Sequence, residues 1–159
     1  MSKDHKLPEF PVEGGCQCGA IRYRVTAPPA TVYRCHCKDC QRLSGAAWSM
    51  SMVIAAEHVE LLAGAPVAFD KAADSGRVVR MQGCGACGIK VWNEPLAAPG
   101  TLILKPGTLD DSSWAVPVGN IWTDSALPWV EIDAGEVNFP GQPADRQPLI
   151  DAWRQREAG

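Results

Sequence analysis

The sequence lacks the features that would place the chain in a membrane or on nucleic acid. It contains no run near the roughly 20 apolar residues that a membrane-spanning helix requires, and residues 1–10 are polar and charged, unlike a secretory signal. It also lacks a basic excess, because the formal net charge is −3. We therefore expect a cytoplasmic protein with no membrane or nucleic-acid partner.

The sequence also lacks an even number of cysteines. Its seven cysteines cannot all pair within one chain, and a reducing cytosol disfavours disulfides. The 159 residues are 46% hydrophobic, which is enough for one domain with a packed core and no crosslinks. Dense cysteine in such a chain more often binds metal.

Long helical patterns are scarce as well. Thirteen prolines and fifteen glycines divide the chain into short segments, which favours strands. The pattern predicts strands within residues 21–25, 31–35, 48–54, 77–81, 89–92, 101–104 and 115–122. Short helical signals cover residues 38–44, the stretch 55–62 suggests a helical turn, and residues 145–157 form the best helix. The predicted fold class is mainly β, with small stacked antiparallel sheets in one domain and a C-terminal helix.

The cysteines form three groups with metal-ligand spacing. Cys16 and Cys18 make C-x-C; Cys35, Cys37 and Cys40 make C-x-C-x-x-C; Cys84 and Cys87 make C-x-x-C. Zinc binds four ligands in a tetrahedron, so its sulfur ligands lie within about 4 Å of one another. On an extended chain both side chains of C-x-C point to one face. In C-x-x-C the chain must turn, and Gly88 can adopt the positive φ that the turn requires.

The spacing divides the seven ligands into four and three. Cys35, Cys37 and Cys40 lie within six residues and are expected to share one metal. Cys16, Cys18, Cys84 and Cys87 remain, and four thiolates complete a structural zinc site. Three ligands leave an open position for water or substrate, as in catalytic zinc sites. The sequence therefore predicts two zinc ions per chain, one structural and one catalytic.

Two other interpretations of the three-cysteine group stay open. His36 or His58 would close the site as a fourth ligand, although His36 points away from its neighbours on an extended chain. Alternatively, the three thiols form a labile or redox site without metal. Three thiolates also make a zinc-bound water less acidic, which suits binding a substrate thiol better than producing hydroxide.

The motifs resemble those of a known family. Five segments show the resemblance: residues 14–23 around Cys16 and Cys18, residues 35–45 around the central cysteines, and residues 84–88, 107–111 and 127–129. They are similar to the glutathione-dependent formaldehyde-activating enzyme family (GFA), whose domain is shared with centromere protein V. The resemblance runs from about residue 13 to about residue 130.

The resemblance implies a β fold that holds the same two zinc ions. The structural zinc would be bound by Cys16, Cys18, Cys84 and Cys87, and the catalytic zinc by Cys35, Cys37 and Cys40. It implies carbon–sulfur lyase chemistry, in which glutathione adds to formaldehyde to give S-hydroxymethylglutathione. We expect an N-terminal extension at 1–12, the zinc-binding domain at 13–135 and a C-terminal extension with its helix at 136–159. Members often carry histidine where this chain has Asn120, and asparagine cannot titrate near neutral pH.

The substrate contacts and the functional class have alternatives. Lys38, Arg42 and Arg34 are candidates to meet the carboxylates of a glutathione-like ligand, but each is also typical of a solvated surface. Four tryptophans could wall a pocket beside the metal, but most of them are expected in the core: Trp48, Trp92, Trp122 and Trp129. A zinc-stabilised binding module without chemistry is the alternative to an enzyme acting on a small thiol or aldehyde. The sequence does not indicate an oligomeric state.

Overall fold

The computed structural model describes residues 6–72 and 76–157, and this part of the chain is mainly β, as predicted. Its two α-helices are α1, Lys38–Ser44, and α2, Gln147–Glu157. Short 3-10 turns follow β4, β9 and β10. The strands are β1 Val12–Gly15, β2 Arg22–Val25, β3 Thr31–Cys35, β4 Ser49–Ala55, β5 Val59–Ala63, β6 Val67–Ala72, β7 Val78–Gly83, β8 Lys90–Pro95, β9 Thr101–Leu104, β10 Gly119–Ile121 and β11 Val137–Asn138.

The strands form one small sheet and one large sheet. The small sheet has the order β1-β2-β5 and is antiparallel throughout. The large sheet has the order β11-β10-β3-β4-β9-β8-β7-β6. Its pairings from β3 to β6 are antiparallel, whereas β10 runs parallel to both β3 and β11. The parallel edge and the eight-stranded size of this sheet differ from the small antiparallel sheets that we expected.

The hydrophobic core lies on both faces of the large sheet. Strand residues alternate between the faces because successive side chains point in opposite directions. One face packs against the small sheet, and the ring of Tyr23 meets that of Trp92 edge-on with centroids 6.0 Å apart. The other face carries Tyr33, Cys35 and Ile121, which pack with Leu149 of α2. The three-cysteine group therefore begins on the helix-covered face.

Two hydrogen bonds fix the first turn of the C-terminal helix. Asp145 Oδ1 accepts a hydrogen bond from the backbone N–H of Gln147 at 2.8 Å, which satisfies a free amide at the helix start. Pro148 is compatible with this position because it falls in the first turn. Thr31 Oγ donates to the Leu149 carbonyl at 2.9 Å, and the Leu149 side chain is fully buried.

Several predicted boundaries differ from the structure. Strands β1, β6 and β11 were not predicted, because they are short or largely exposed and carry little alternation. The stretch 55–62 holds a 3-10 turn at Ala56–His58, but its second half is strand β5. Of the predicted strand 115–122, only Gly119–Ile121 pairs. No helix in the two described segments is long and apolar enough to cross a bilayer.

The packing of α2 yields the first prediction. Leu149→Ala should lower the free energy of unfolding by about 2 to 5 kcal/mol, because it opens a cavity in a fully buried cluster. The measurement is chemical denaturation followed by tryptophan fluorescence. Leu61→Ala is the matched control, because Leu61 is 48% exposed and its loss should change stability by less than about 0.5 kcal/mol. Equal losses in the two variants would contradict the packing of α2 described here.

Candidate metal centres

Two tight turns of the same design carry the four-cysteine cluster. In the first turn the N–H of Cys16 donates to the Ile21 carbonyl at 3.1 Å, and in the second the N–H of Cys84 donates to the Ile89 carbonyl at 2.9 Å. Gly88 has a φ of +76°, which confirms the predicted turn after Cys87. Cys16 and Cys18 lie in a turn rather than on the extended chain that we expected.

Glycines at the neck of both turns allow the backbones to approach closely. Gly15 precedes Cys16, and a Cβ built on it would lie 2.3 Å from the Ile21 carbonyl oxygen. Gly83 precedes Cys84, and its Cβ would lie 2.8 Å from the Ile89 carbonyl oxygen. Real Cβ atoms do not tolerate such distances, so both necks require glycine to bring each cysteine into position.

The four sulfur atoms fit a single tetrahedral metal. Cys18 Sγ lies 3.5 Å from Cys16 Sγ and 3.7 Å from Cys84 Sγ. All four Sγ atoms, including that of Cys87, lie within 4.8 Å of one another. Zinc with Zn–S bonds of about 2.3 Å separates its sulfurs by about 3.8 Å. The backbone N–H of Ile21 donates to Cys16 Sγ at 3.2 Å and, with the neighbouring thiols, lowers the pKa of Cys16 to about 6.

The three-cysteine cluster forms where β3 passes into α1. Cys35 ends the strand, Cys37 caps the helix, and Cys40 lies in its first turn. Cys37 Sγ accepts a hydrogen bond from the backbone N–H of Cys40 at 3.4 Å. Gln41 fixes the helix from its other side, because its Nε2 donates to the carbonyls of His36 and Ser125 at 2.7 and 2.9 Å. The three Sγ atoms lie within 4.8 Å of one another.

The chemistry of these three thiols also fits a metal. Hydrogen bonding with Cys37 and Cys40, together with burial, raises the pKa of Cys35. Hydrogen bonds from Cys35 and Cys40 lower the pKa of Cys37. The thiols therefore share protons, because three adjacent thiolates repel one another. All three become good ligands together only when a cation lies among them.

Neither described histidine joins the three-cysteine cluster. His36 is fully buried, and its Nε2 donates to Asn120 Oδ1 at 2.9 Å. His58 lies in the 3-10 turn after β4, where its Nε2 is 3.8 Å from Glu57. Within residues 6–72 and 76–157, the ligand groups near these thiols comprise the three cysteines alone. The described chain thus supplies three ligands at one centre and four at the other.

Asn120 lies in a buried polar network rather than among the cysteines. Its Oδ1 accepts from His36, and its Nδ2 donates to Glu136 Oε2 and Asn138 Oδ1, both at 2.8 Å. Arg34 completes the network, with Nη1 2.7 Å from Glu136. The neighbouring Ile121 is paired in register with Cys35 and packs in the same cluster, so Asn120 points to the opposite face.

The predicted substrate-binding cations have different surroundings. Arg34 is engaged with Glu136, and its guanidinium lies 5.7 Å from the ring centroid of Trp48. Arg42 is exposed on α1, and Lys38 donates to Gln41 Oε1 on the same helix. Arg34 is therefore a structural cation, whereas Lys38 and Arg42 remain candidates at the surface beside the cysteines. Of the four tryptophans considered for a pocket wall, only Trp92 is buried in the core; Trp48 and Trp122 are partly buried, and Trp129 is 72% exposed.

Sequence analysis missed one cation that faces the three-cysteine cluster. Lys105 follows β9, and its Nζ donates to Ser49 Oγ at 3.2 Å. Ser49 is the partner of Cys35 in the pairing of β3 with β4. Burial lowers the pKa of Lys105, while the thiolates of Cys40, Cys35 and Cys37 act in the opposite direction. Only the register of three strands connects Lys105 with the cysteines, so spacing in the sequence carries no signal for it.

The fold and the two clusters define a cysteine-rich β protein with two groups of thiols suited to holding a metal. The comparison with family models then gives the particular family. The model described as glutathione-dependent formaldehyde-activating enzyme matches residues 11–125, which include all seven cysteines. The chain belongs to this family, and the resemblance predicted from the motifs is confirmed.

Individual proteins are similar to the chain in more limited ways. A Halomonas elongata protein named as a candidate glutathione-dependent formaldehyde-activating enzyme is 46% identical over 35 residues. That match covers 21% of this chain and about a fifth (22%) of the relative. The crystal structure of a Rhodobacter sphaeroides protein matches 80% of this chain and 98% of its own, with a TM-score of 0.50 and 19% identity. This second likeness concerns the fold alone.

The two clusters should contribute differently to stability. Cys87→Ser removes a ligand from the cluster that joins two distant turns, and we expect it to lower the free energy of unfolding by about 4 kcal/mol, which is the contribution of a ligand present at a thousand times its Kd. Cys37→Ser should cost clearly less, because its cluster lies within one segment. The measurement is denaturation in zinc-containing buffer. A larger loss for Cys37→Ser would contradict a structural role for the four-cysteine cluster.

Proposed function

We propose that this protein is a zinc-dependent enzyme of the carbon–sulfur lyase type, acting on the adduct of glutathione, or a similar small thiol, with formaldehyde or a related aldehyde. One observation carries the proposal: the described chain offers four thiols at one centre and three at the other. Family membership supports the substrate class, because the family model is described as glutathione-dependent and formaldehyde-activating.

We propose that Cys16, Cys18, Cys84 and Cys87 hold a structural zinc and that Cys35, Cys37 and Cys40 hold a catalytic one. Cysteine thiolates select zinc among the common divalent ions of the cell, because they are soft ligands. At the three-cysteine centre, zinc would supply Lewis-acid polarisation and one position free for a ligand. We also retain the division at residues 1–12, 13–135 and 136–159, and the cytoplasmic location, as proposals.

The proposed reaction is a reversible addition. In the forward direction the thiol sulfur forms a bond to the carbonyl carbon of formaldehyde, and the thiol proton ends on the carbonyl oxygen; the lyase direction reverses both changes. This addition is chemically easy, so bringing the reactants together supplies most of the rate gain. The residues of the chain contribute by position: Cys35 is buried, whereas Cys37 and Cys40 are partly exposed, which would let a ligand approach from their side.

Two exposed cations are placed to recognise the rest of the thiol ligand. Lys38 and Arg42 lie on α1, on the turns that also carry Cys40. Glutathione carries two carboxylates, and a guanidinium or ammonium group binds a carboxylate with charge-assisted hydrogen bonds. Arg34 is left out of this role, because its guanidinium already pairs with Glu136.

The function is tested by glutathione binding to the zinc-loaded protein. We expect two zinc ions per chain by elemental analysis, and a calorimetric titration that detects glutathione binding. Cys37→Ser should retain the structural zinc, lose the other and lose measurable glutathione binding, because the open centre is destroyed. Exchange spectroscopy with formaldehyde should show faster formation of the S-hydroxymethyl adduct with the parent protein than with Cys37→Ser.

The control is Lys6→Met, a charge change outside both clusters, which should bind zinc and glutathione like the parent. A parent protein that carries two zincs but binds neither glutathione nor another small thiol would overturn the proposed enzyme. That result would favour the second interpretation, a zinc-stabilised binding module without chemistry.

A further inference from the structure

Three neighbouring strands bring Cys35, Ser49 and Lys105 onto the helix-covered face of the large sheet, where the register places Lys105 opposite Ser51 and diagonal to Ser49. Cys35 on β3 is paired with Ser49 on β4, and Leu104 on β9 is paired with Met52. Paired residues on one face have Cβ atoms about 5 Å apart. Lys105 continues β9 with extended backbone angles, φ −95° and ψ 100°. Its side chain therefore emerges on the opposite face from Leu104, towards Ser49.

The contacts of Lys105 confirm this placement. Its Nζ donates to Ser49 Oγ at 3.2 Å, and Ser49 is itself buried. In the described residues no carboxylate lies within ion-pair distance of this ammonium group. The groups that can supply negative charge on this side are the three cysteines, because Ser49, which binds the ammonium group, is the strand partner of Cys35. A partly buried cation without a carboxylate partner is stabilised by another source of negative charge.

The three-cysteine centre has the complementary charge. Three thiolates around one divalent ion leave a net charge of about −1, and binding of a substrate thiolate makes the net charge about −2. Accumulated negative charge weakens the binding of a further anion, and a nearby fixed cation offsets it. The effect is large in a partly buried site, where the effective dielectric is lower and salt screens less.

We infer that the Lys105 ammonium group, held by Ser49, is the charge-compensating partner of the three-cysteine centre and strengthens its binding of a divalent metal and of an anionic thiol. The part concerning the thiol rests on the proposed function; the part concerning the metal does not. Lys105 acts here as a positioning residue through its charge and is not assigned a covalent role.

Metal competition tests the inference without any assay of activity. The full chain is loaded with zinc, and a chromophoric chelator is titrated at fixed pH against the parent and Lys105→Met. We expect the more weakly held zinc to bind at least about tenfold less tightly in Lys105→Met, while the four-cysteine zinc is unchanged. Lys105→Arg, which keeps the charge, should restore the affinity of the parent.

Lys90→Met is the matched control. Lys90 is also a partly buried lysine whose pKa is lowered by burial, but its ammonium group lies 4.3 Å from the ring centroid of Phe69. The Lys90→Met variant should bind the more weakly held zinc with the same affinity as the parent protein. Equal zinc affinities in Lys105→Met and Lys90→Met would overturn the inference. If the methionine variant does not fold, Lys105→Gln keeps a polar head group at the site and must show the same tenfold loss.

Glutathione titration of the same zinc-loaded proteins separates this inference from the proposed function. If the parent binds glutathione, we expect Lys105→Met to bind it at least about tenfold less tightly and Lys105→Arg to recover. If the parent binds no glutathione, the proposed function fails, and the metal competition alone decides the role of Lys105. Loss of glutathione binding in Lys105→Arg as well as in Lys105→Met would show that charge is not the cause, and would overturn the thiol part.

Discussion

The convergence of four thiols from two distant turns is the constraint on which much of the fold depends. Cys18 and Cys84 are 66 residues apart in the chain, and their sulfurs lie 3.7 Å apart. The first turn joins two strands of the small sheet, and the second joins β7 to β8 in the large one. A metal bound there would therefore join the two sheets at their ends, and the conformational entropy of a long loop makes such a link effective.

The three-cysteine cluster is built on a different principle. Its ligands come from one short segment, so its geometry depends on how β3 ends and α1 begins. The buried face of β3 holds Cys35 in place, and the side chain of Gln41 ties α1 to the loop after β10. Cys37 and Cys40 remain partly exposed, which leaves access from solvent. A metal at the first cluster would join distant parts of the chain, whereas the second cluster gathers one buried and two partly exposed thiols at the end of a single strand.

The polar groups around this second cluster divide according to the two faces of the sheet. Asn120, His36 and Glu136 form a hydrogen-bonded network that joins the parallel edge strands β10 and β11 to β3. On the other face, Ser49 and Lys105 lie beside Cys35. Asparagine at position 120 serves the network well, because it accepts from His36 and donates to Glu136 at the same time. In this structure Asn120 is a buried residue that holds the network together through its hydrogen bonds.

The sequence by itself determined the fold class, the family and the grouping of the cysteines. These depend on short-range information: strand alternation at residues 21–25 and 48–54, the helical pattern around Leu149 and Trp153, and ligands one to three residues apart. The tertiary structure alone decided the parallel pairing of β10, the strands β1, β6 and β11, the engagement of Arg34 and the position of Lys105. Each of these depends on which strands become neighbours and in which register, and residues brought together in this way can be more than 50 positions apart, as are Ser49 and Lys105.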